Sequence, residues 1–106
     1  MYRITFYVPA DHLEAVKLAL FSAGAGKIGD YEHCAWQTAG HGQYKPLAGS
    51  QPFRGETDQL QQEQEYKVEM VCAKEHIKPV LQALLDAHPY ETPAYEAYPI
   101  LTLDQI

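Results

Sequence analysis

The sequence predicts an α+β fold, in which a four-stranded antiparallel sheet carries two helices on one face. Two observations lead to this prediction. A strand–helix–strand pattern occurs twice along the chain, and each predicted helix has an apolar stripe on one side only. The 106 residues are 46% apolar and 21% charged, which is typical of one soluble domain spanning 1–106. Two similar halves of this kind fold into a βαββαβ, or ferredoxin-like, arrangement.

The first half begins with an alternating strand over Tyr2–Val8, whose apolar side chains share one face: Ile4, Phe6 and Val8. Helix one is predicted over Asp11–Ala23, because Asp11 is a favourable N-cap and Glu14 follows it as in a capping box. The apolar stripe of this helix consists of Leu13, Val16, Leu20 and Phe21. Gly24 is expected to end the helix.

Three strands and a second helix complete the predicted fold. Strand two is expected over Tyr31–Thr38 and strand three over Glu65–Ala73. Helix two follows over Glu75–Ala87 and must end near Pro89, which has no N–H and restricts the residue before it. Strand four is expected over Ala94–Leu103, and the proline within it indicates a sheet edge or a strand end.

A long loop is predicted between strands two and three, over Ala39–Gln64, because this segment is rich in Gly, Gln and Pro. Loops of this length in compact domains are usually functional or used in assembly. Glycines allow close approach of a ligand to the backbone, so His41, Tyr44 and Lys45 are candidate ligand-binding residues. The alternative is that the loop only doubles back or docks on another subunit, which its apolar residues favour: Tyr44, Phe53 and Leu60.

Charge and cysteine content exclude several classes of protein. The net charge of −6 and the absence of a basic run argue against nucleic-acid binding. No stretch approaches the ~20 apolar residues of a membrane span, and the first residues read as a strand instead of a secretory signal. We therefore expect a cytoplasmic protein in which Cys34 and Cys72 stay reduced, each as a small buried apolar residue.

The glycine-rich segment Gly24–Gly29 is at first sight similar to a phosphate-binding loop. A dinucleotide-binding loop follows a strand and opens a helix, whereas these glycines follow a helix and precede a strand. We therefore predict a helix end and a turn. Successive backbone N–H groups could also form an anion-binding nest, so that alternative stays open.

Metal-ligand residue types are present without the spacing of a known zinc motif. His33 and Cys34 are expected on opposite faces of a strand and so cannot share one metal. A divalent metal such as Cu or Zn is predicted at His88 and Glu91, with Cys34 as a tentative third ligand. The alternative for His88 is a packed helix terminus, where a positive charge also suits the helix dipole.

No catalytic constellation is evident in the sequence. A nucleophilic Cys34 or Cys72 would need an adjacent base and a positive environment, and nothing in the sequence supplies that pairing. The acidic residues Glu63 and Glu65 lie in a polar run and form no recognisable acid/base pair. We expect the protein not to be an enzyme.

Four motifs in order carry a family resemblance over nearly the whole chain: FYVPADHLE (6–14), GAGKIGDYEHC (24–34), GHGQYKP (40–46) and HPYE (88–91). Together they resemble the YqfO-type domain, which is inserted in Nif-three-like proteins and is related to CutA and, more distantly, to PII signalling proteins. The resemblance implies a ferredoxin-like fold and a homo-oligomer.

The relatives also imply where ligands would bind. CutA proteins are trimers associated with divalent-cation tolerance, and their HPYE-like segment corresponds to His88–Glu91. PII proteins place effectors and partners around the loop that corresponds to Ala39–Gln64. The dinuclear metal site of full-length Nif-three-like proteins lies in two flanking lobes that this chain does not contain, so their hydrolase activity is not carried over. Cys34 does not occupy a known CutA ligand position.

Three functional hypotheses follow. The first is a non-catalytic domain that binds a divalent cation or small ligand between subunits of a dimer or trimer. The second is a protein-interaction or structural module without a small ligand, whose partner is unknown. The third is a metal-dependent or cysteine-dependent enzyme.

Overall fold

The predicted ferredoxin-like α+β fold is confirmed. The computed structural model describes residues 1–106. Four strands form one antiparallel sheet in the order β2-β3-β1-β4, and two helices join them. The elements are β1 (Tyr2–Pro9), α1 (Leu13–Ser22), β2 (Trp36–Tyr44), β3 (Gln61–Cys72), α2 (Ile77–Ala87) and β4 (Tyr95–Pro99). Short 3₁₀ turns occupy Ala10–His12, Lys74–His76 and Leu103–Gln105.

The core lies between the sheet and the two helices. Alternate residues of the central strands β1 and β3 face the helices, as their period-two pattern predicts. Among the fully buried side chains are Ile4, Phe6, Val8 and Val68 of the sheet and Val16, Leu20, Val80 and Leu84 of the helices. Burial of these side chains is the main force that holds the helices on one face.

The predicted loop over Ala39–Gln64 is wrong in its bounds. Strand β2 starts and ends later than expected, β3 starts earlier, and the two form a hairpin in which Trp36 pairs with Glu69 and Tyr44 with Gln61. The true loop spans 45–60. The paired ends of this hairpin are polar, so the backbone hydrogen bonds of the ladder hold them together and no apolar alternation marks them.

The predicted N-cap of helix one is also wrong. A 3₁₀ turn precedes α1, whose N-cap is His12, and no side chain caps the helix. The Asp11 carboxylate instead binds Arg54 of the long loop. A second 3₁₀ turn precedes α2, which starts at Ile77, and strand β4 is shorter than expected because it ends at Pro99.

The segment that follows α1 is a turn, as predicted. Gly24, Gly26 and Gly29 all have positive φ values. The anion-binding alternative is not supported, because backbone N–H groups of this turn already donate to carbonyl oxygens: Gly24 to Phe21, Ala25 to Leu20, Gly26 to Val71 and Ile28 to Tyr31. The turn therefore ties α1 to the end of β3.

Gly26 and Gly29 both have a left-handed backbone, and we expect substitution by alanine to destabilise the protein more at Gly26. Gly26→Ala would place a Cβ 2.7 Å from the Phe21 ring at a φ of 76°, and should lower the free energy of unfolding by about 2–4 kcal/mol. Gly29→Ala has the same backbone problem but open space around it, and should cost only about 1 kcal/mol. Urea denaturation of both variants measures the difference, and equal losses would contradict the packing argument.

No helix in the structure is both long enough and apolar enough to cross a membrane.

Candidate functional site

A cleft of about 680 Å³ opens at the end of the sheet where three segments meet. These are the last residues of β2, the loop 45–60, and the segment that follows α2. Residues 61–64 of β3 pair only with β2 and so extend beyond β1, which leaves the end of the hairpin free to form one wall. Six of the 15 lining residues carry an aromatic ring or a carboxylate: Tyr7, Tyr44, Phe53, Glu65, Tyr90 and Glu91.

A hydrogen bond between Tyr90 and Glu65 organises the centre of the cleft. The Tyr90 hydroxyl donates to Glu65 Oε2 at 2.7 Å. Burial and this bond to a carboxylate raise the pKa of Tyr90 far above its usual value of 10.0, so the phenol remains a neutral donor. Across the ladder, a Cβ at Gly42 would overlap Glu65 Oε1 and lie 2.6 Å from its Cδ. The glycine therefore leaves the space that the carboxylate occupies.

Three aromatic rings stand close together in the cleft. The ring centroids of Tyr44 and Tyr90 are 5.6 Å apart in an edge-to-face arrangement, and those of Phe53 and Tyr90 are 6.3 Å apart. The Tyr44 hydroxyl donates to the carbonyl oxygen of Arg54 at 2.8 Å, which fixes the ring against the loop. Burial, followed by the charge of Glu63, raises the pKa of Tyr44, so it too stays protonated.

Arg54 holds the loop 45–60 against the sheet and against the 3₁₀ turn before α1. Its Nη1 donates to Glu63 Oε2 at 3.1 Å, its Nη2 donates to Asp11 Oδ2, and its guanidinium lies 4.5 Å from the centroid of the Phe53 ring. Hydrogen bonding to Arg54 lowers the pKa of Asp11, and the bond to Asp11 raises the pKa of Arg54. The Gln51 N–H adds a bond to Glu91 Oε1 at 3.1 Å. The loop is thus held by contacts from both sides of the cleft.

Arg54→Met should release this loop, because both carboxylates lose their partner and the ring loses its cation. We expect chymotrypsin to cut the loop faster at Leu47 and Phe53, with little change in far-ultraviolet circular dichroism. Lys78→Met, which removes a charge from the exposed face of α2, should be cut at the wild-type rate. Equal protection of all three proteins would contradict the tethering role of Arg54.

The buried His88 side chain connects the backbone of β1 to the segment that follows α2. It is only 6% exposed. Its Nδ1 accepts from the Tyr90 N–H at 3.1 Å, so its Nε2 carries the proton and donates to the Tyr7 carbonyl oxygen at 2.6 Å. Burial lowers the pKa of His88, which favours this neutral form. His88 is therefore a packed helix terminus, as the alternative predicted, but its ring is neutral and adds no charge to the helix dipole.

The three residues of the predicted metal site do not come together. The Cys34 N–H donates to Gly26, which in turn binds Val71, and Val71 lies about 20 Å along β3 from Glu65. Cys34 is therefore at the opposite end of the sheet from His88 and Glu91. No three His, Cys, Asp or Glu side chains in the chain are placed to hold a metal ion. A metal at His88 and Glu91 stays a prediction that requires ligands from outside this chain.

The predicted ligand-binding residues are divided between two depressions. Tyr44 and Lys45 line the large cleft, as the hypothesis requires. His41 instead borders a smaller depression of about 370 Å³ over β2 and β3, together with Lys67 and Glu69. Glu65 and Arg54 were not among the predicted site residues, although Arg54 belongs to the predicted loop. Glu65 was hidden in a polar run, and only the register that sets it beside Gly40 would have revealed its place.

Both thiols are free, and neither is hydrogen-bonded to a basic side chain. Cys72 is buried, and burial raises the pKa of its thiol. Cys34 is half-buried, with its Sγ 3.8 Å from the carbonyl oxygen of Glu32. Neither environment activates a nucleophile.

The chain is similar to one segment of a group of longer bacterial proteins. It is 44% identical over 98 residues to a GTP cyclohydrolase 1 type 2 homolog of Bacillus subtilis, covering 92% of this chain and 26% of that protein. A protein of the same name from Mycobacterium leprae is 42% identical over 95 residues, covering 90% of this chain and 25% of that protein. The chain thus spans about a quarter of the length of these curated relatives. No protein-family model matches it.

Solved structures show similarity to the same kind of protein. A Bacillus cereus protein related to NIF3 superposes with a TM-score of 0.78 at 35% identity, over 93% of this chain and 25% of that protein. CutA1 from Shewanella sp. SIB1 superposes with a TM-score of 0.67 at 21% identity, over 95% of this chain and 81% of that protein. The second likeness supports the fold alone. The resemblance seen in the sequence is therefore confirmed: the chain is similar to the YqfO-type segment of Nif-three-like proteins and has the fold of CutA.

Proposed function

We propose that this chain is a non-catalytic regulatory domain that binds a small ligand in the cleft between β2, the loop 45–60 and Tyr90. The cleft itself is the observation that carries the proposal. Its volume of about 680 Å³ lies within the range of natural small-molecule sites, which is roughly 300–1,000 Å³. Its lining combines aromatic rings with a few polar groups, as such sites do.

The cleft is already formed without a ligand, and this supports the proposal. Tyr90, Glu65 and Arg54 are each fixed by hydrogen bonds that do not involve a ligand. A site formed in advance costs less conformational entropy when a ligand binds. Because both phenol protons are already donated within the chain, the phenol oxygens and the Glu65 carboxylate provide fixed acceptors for a ligand.

The absence of an activated group at the cleft favours binding over catalysis. Both ring nitrogens of His88 are occupied by backbone partners, so this histidine has no free nitrogen for proton transfer to a ligand. The thiols of Cys34 and Cys72 lie outside the cleft lining. The proposal includes a cytoplasmic location, which unpaired cysteines favour.

We further propose a homo-oligomer, a dimer or trimer, that forms along strand β2. This strand is a sheet edge, and its residues from Trp36 to His41 are all exposed. An exposed edge strand readily pairs with another chain. Because Tyr44 is the last residue of this edge strand and lines the cleft, a neighbouring subunit would lie beside the ligand.

A thermal-shift and calorimetric screen of the purified protein tests the proposal. The probes are Cu, Zn, GTP, other common nucleotides and small amines; metals follow from CutA structures named divalent cation tolerance protein, and GTP from the curated relatives. We expect saturable binding of one class and its loss in Tyr44→Ala, whose side chain lines the cleft. Silence with every probe overturns the ligand-binding function. Light scattering that returns a monomer overturns the oligomer.

A protein-interaction module is the second candidate. The turn before β2 and the first residue of that strand expose three large apolar side chains: Ile28 at 52%, Tyr31 at 74% and Trp36 at 67%. Exposed apolar side chains near one another in the chain favour a contact surface. Trp36→Ala that abolishes association while ligand binding persists would separate this surface from the cleft.

A further inference from the structure

One carboxylate in the cleft has no positive partner. Glu65 is half-buried and accepts the Tyr90 hydroxyl, yet no basic nitrogen lies within 4.0 Å of it, since the ion pairs of the chain are made by other residues. Glu91, the second carboxylate of the lining, also lacks an ion pair. A partly desolvated negative charge of this kind gains most from a cation that enters the cleft.

The aromatic side chains beside Glu65 also favour a positively charged ligand. Four aromatic side chains line the cleft: Tyr7, Tyr44, Phe53 and Tyr90. The face of each ring carries the negative part of its quadrupole and attracts ammonium and guanidinium groups. The neighbouring Arg54 shows this chemistry within the chain, because its guanidinium lies 4.5 Å from the Phe53 centroid and between two carboxylates.

We infer that the cleft selects a small organic cation, with an alkylammonium or quaternary ammonium group held between Glu65 and the aromatic walls. The inference rests on the proposed ligand-binding function and specifies the ligand class. The single basic residue of the lining, Lys45, is exposed and forms no ion pair, so it leaves the lining with two negative charges and one positive. The net charge of −6 adds a field that attracts cations to the chain.

Other ligand classes fit this lining less well. An anionic ligand such as a nucleotide would place phosphate charge beside Glu65 and Glu91, with one lysine to oppose that repulsion. A divalent metal prefers several oxygen, nitrogen or sulfur ligands at short distance, and no three such acidic, histidine or cysteine side chains converge. An organic cation needs only one carboxylate and the ring faces.

Calorimetric titration with a matched pair of probes tests the inference. The first probe is choline, and the second is its neutral isostere, in which carbon replaces the ammonium nitrogen; putrescine and GTP complete the set. We expect choline or putrescine to bind at millimolar or lower concentration, and the neutral isostere to bind roughly tenfold more weakly. Equal affinity for choline and its isostere overturns the role of charge.

A pair of variants locates the cation. Glu65→Gln keeps the shape of the side chain and an acceptor for the Tyr90 hydroxyl, and should weaken binding of the cationic probe by roughly tenfold or more. Glu96→Gln makes the same charge change on the exposed part of β4 and should leave binding unchanged. Loss of affinity in both variants, or in neither, overturns the site. If GTP or a neutral compound binds and no cation does, the ligand class is wrong although the proposed function stands; if no probe binds, both fail.

Discussion

Gly42→Ala should weaken binding in the cleft by about 10-fold to 100-fold without unfolding the protein. The new Cβ would overlap Glu65 Oε1, so the carboxylate must turn away and release the Tyr90 hydroxyl. The factor corresponds to loss of a hydrogen bond to a charged group, which contributes about 1.5–3 kcal/mol. Choline, or whichever probe binds the wild type, serves for the titration. The strand itself should persist, because the displaced atoms belong to the flexible end of a side chain.

Gly40→Ala is the matched control for this prediction. It makes the same change two residues away on the same face of β2, where a Cβ meets nothing within 4 Å. We expect wild-type affinity and a melting temperature within a few degrees of wild type. Equal affinity of both variants and the wild type would show that the Glu65 position does not matter for binding.

His88→Leu should lower the free energy of unfolding by about 2–5 kcal/mol. The substitution leaves the Tyr7 carbonyl and the Tyr90 N–H without partners in a partly buried place, and each such loss costs about 1–3 kcal/mol. His88→Asn, whose side-chain oxygen can accept from the Tyr90 N–H, should recover part of the loss. His41→Leu on the exposed edge should change stability by less than about 0.5 kcal/mol. Urea denaturation of the three variants gives the ranking, and a neutral His88→Leu would contradict the connector role.

The same residue should make stability depend on pH. Burial holds the folded pKa of His88 below its ordinary value of 6.5, so the unfolded chain takes up a proton that the native state resists. The contribution of neutral His88 to the free energy of unfolding should therefore be fully present above pH 6.5. It should fall as the pH drops below that value, and stop falling below the folded pKa. The steepest slope from one proton is about 1.4 kcal/mol per pH unit. His88→Asn should remove this part of the slope, and an unchanged pH profile would contradict a buried neutral imidazole.

The fold was predictable because its signals are local and repeated. The alternation of Ile4, Phe6 and Val8 and the helical spacing of Val80 and Leu84 follow directly from the geometry of strands and helices. Pro89 likewise ends α2 where expected. The extent of the hairpin was not predictable, because polar pairs such as Gln43 with Gln62 are held by backbone hydrogen bonds that leave no apolar pattern.

The cleft was only partly predictable for a related reason. Tyr44 and Lys45 stand out by their position in a glycine-rich segment. Glu65 acquires its role from partners 23 residues before it and 25 residues after it, Gly42 and Tyr90, and no local pattern reports such distances. Asp11 is an instructive error: its sequence context matches a helix cap, yet the bond to Arg54 depends on a loop 43 residues away.

Amide-resonance mapping by nuclear magnetic resonance, with the probe that binds the wild type or with the full probe set if none is yet known, tests the central claim most directly. We predict that saturating shifts concentrate on Gly42, Tyr44, Glu65 and Tyr90, and that they are lost in Gly42→Ala. Shifts that concentrate around Trp36 instead, or no shifts with any probe, would contradict a ligand-binding cleft at this end of the sheet.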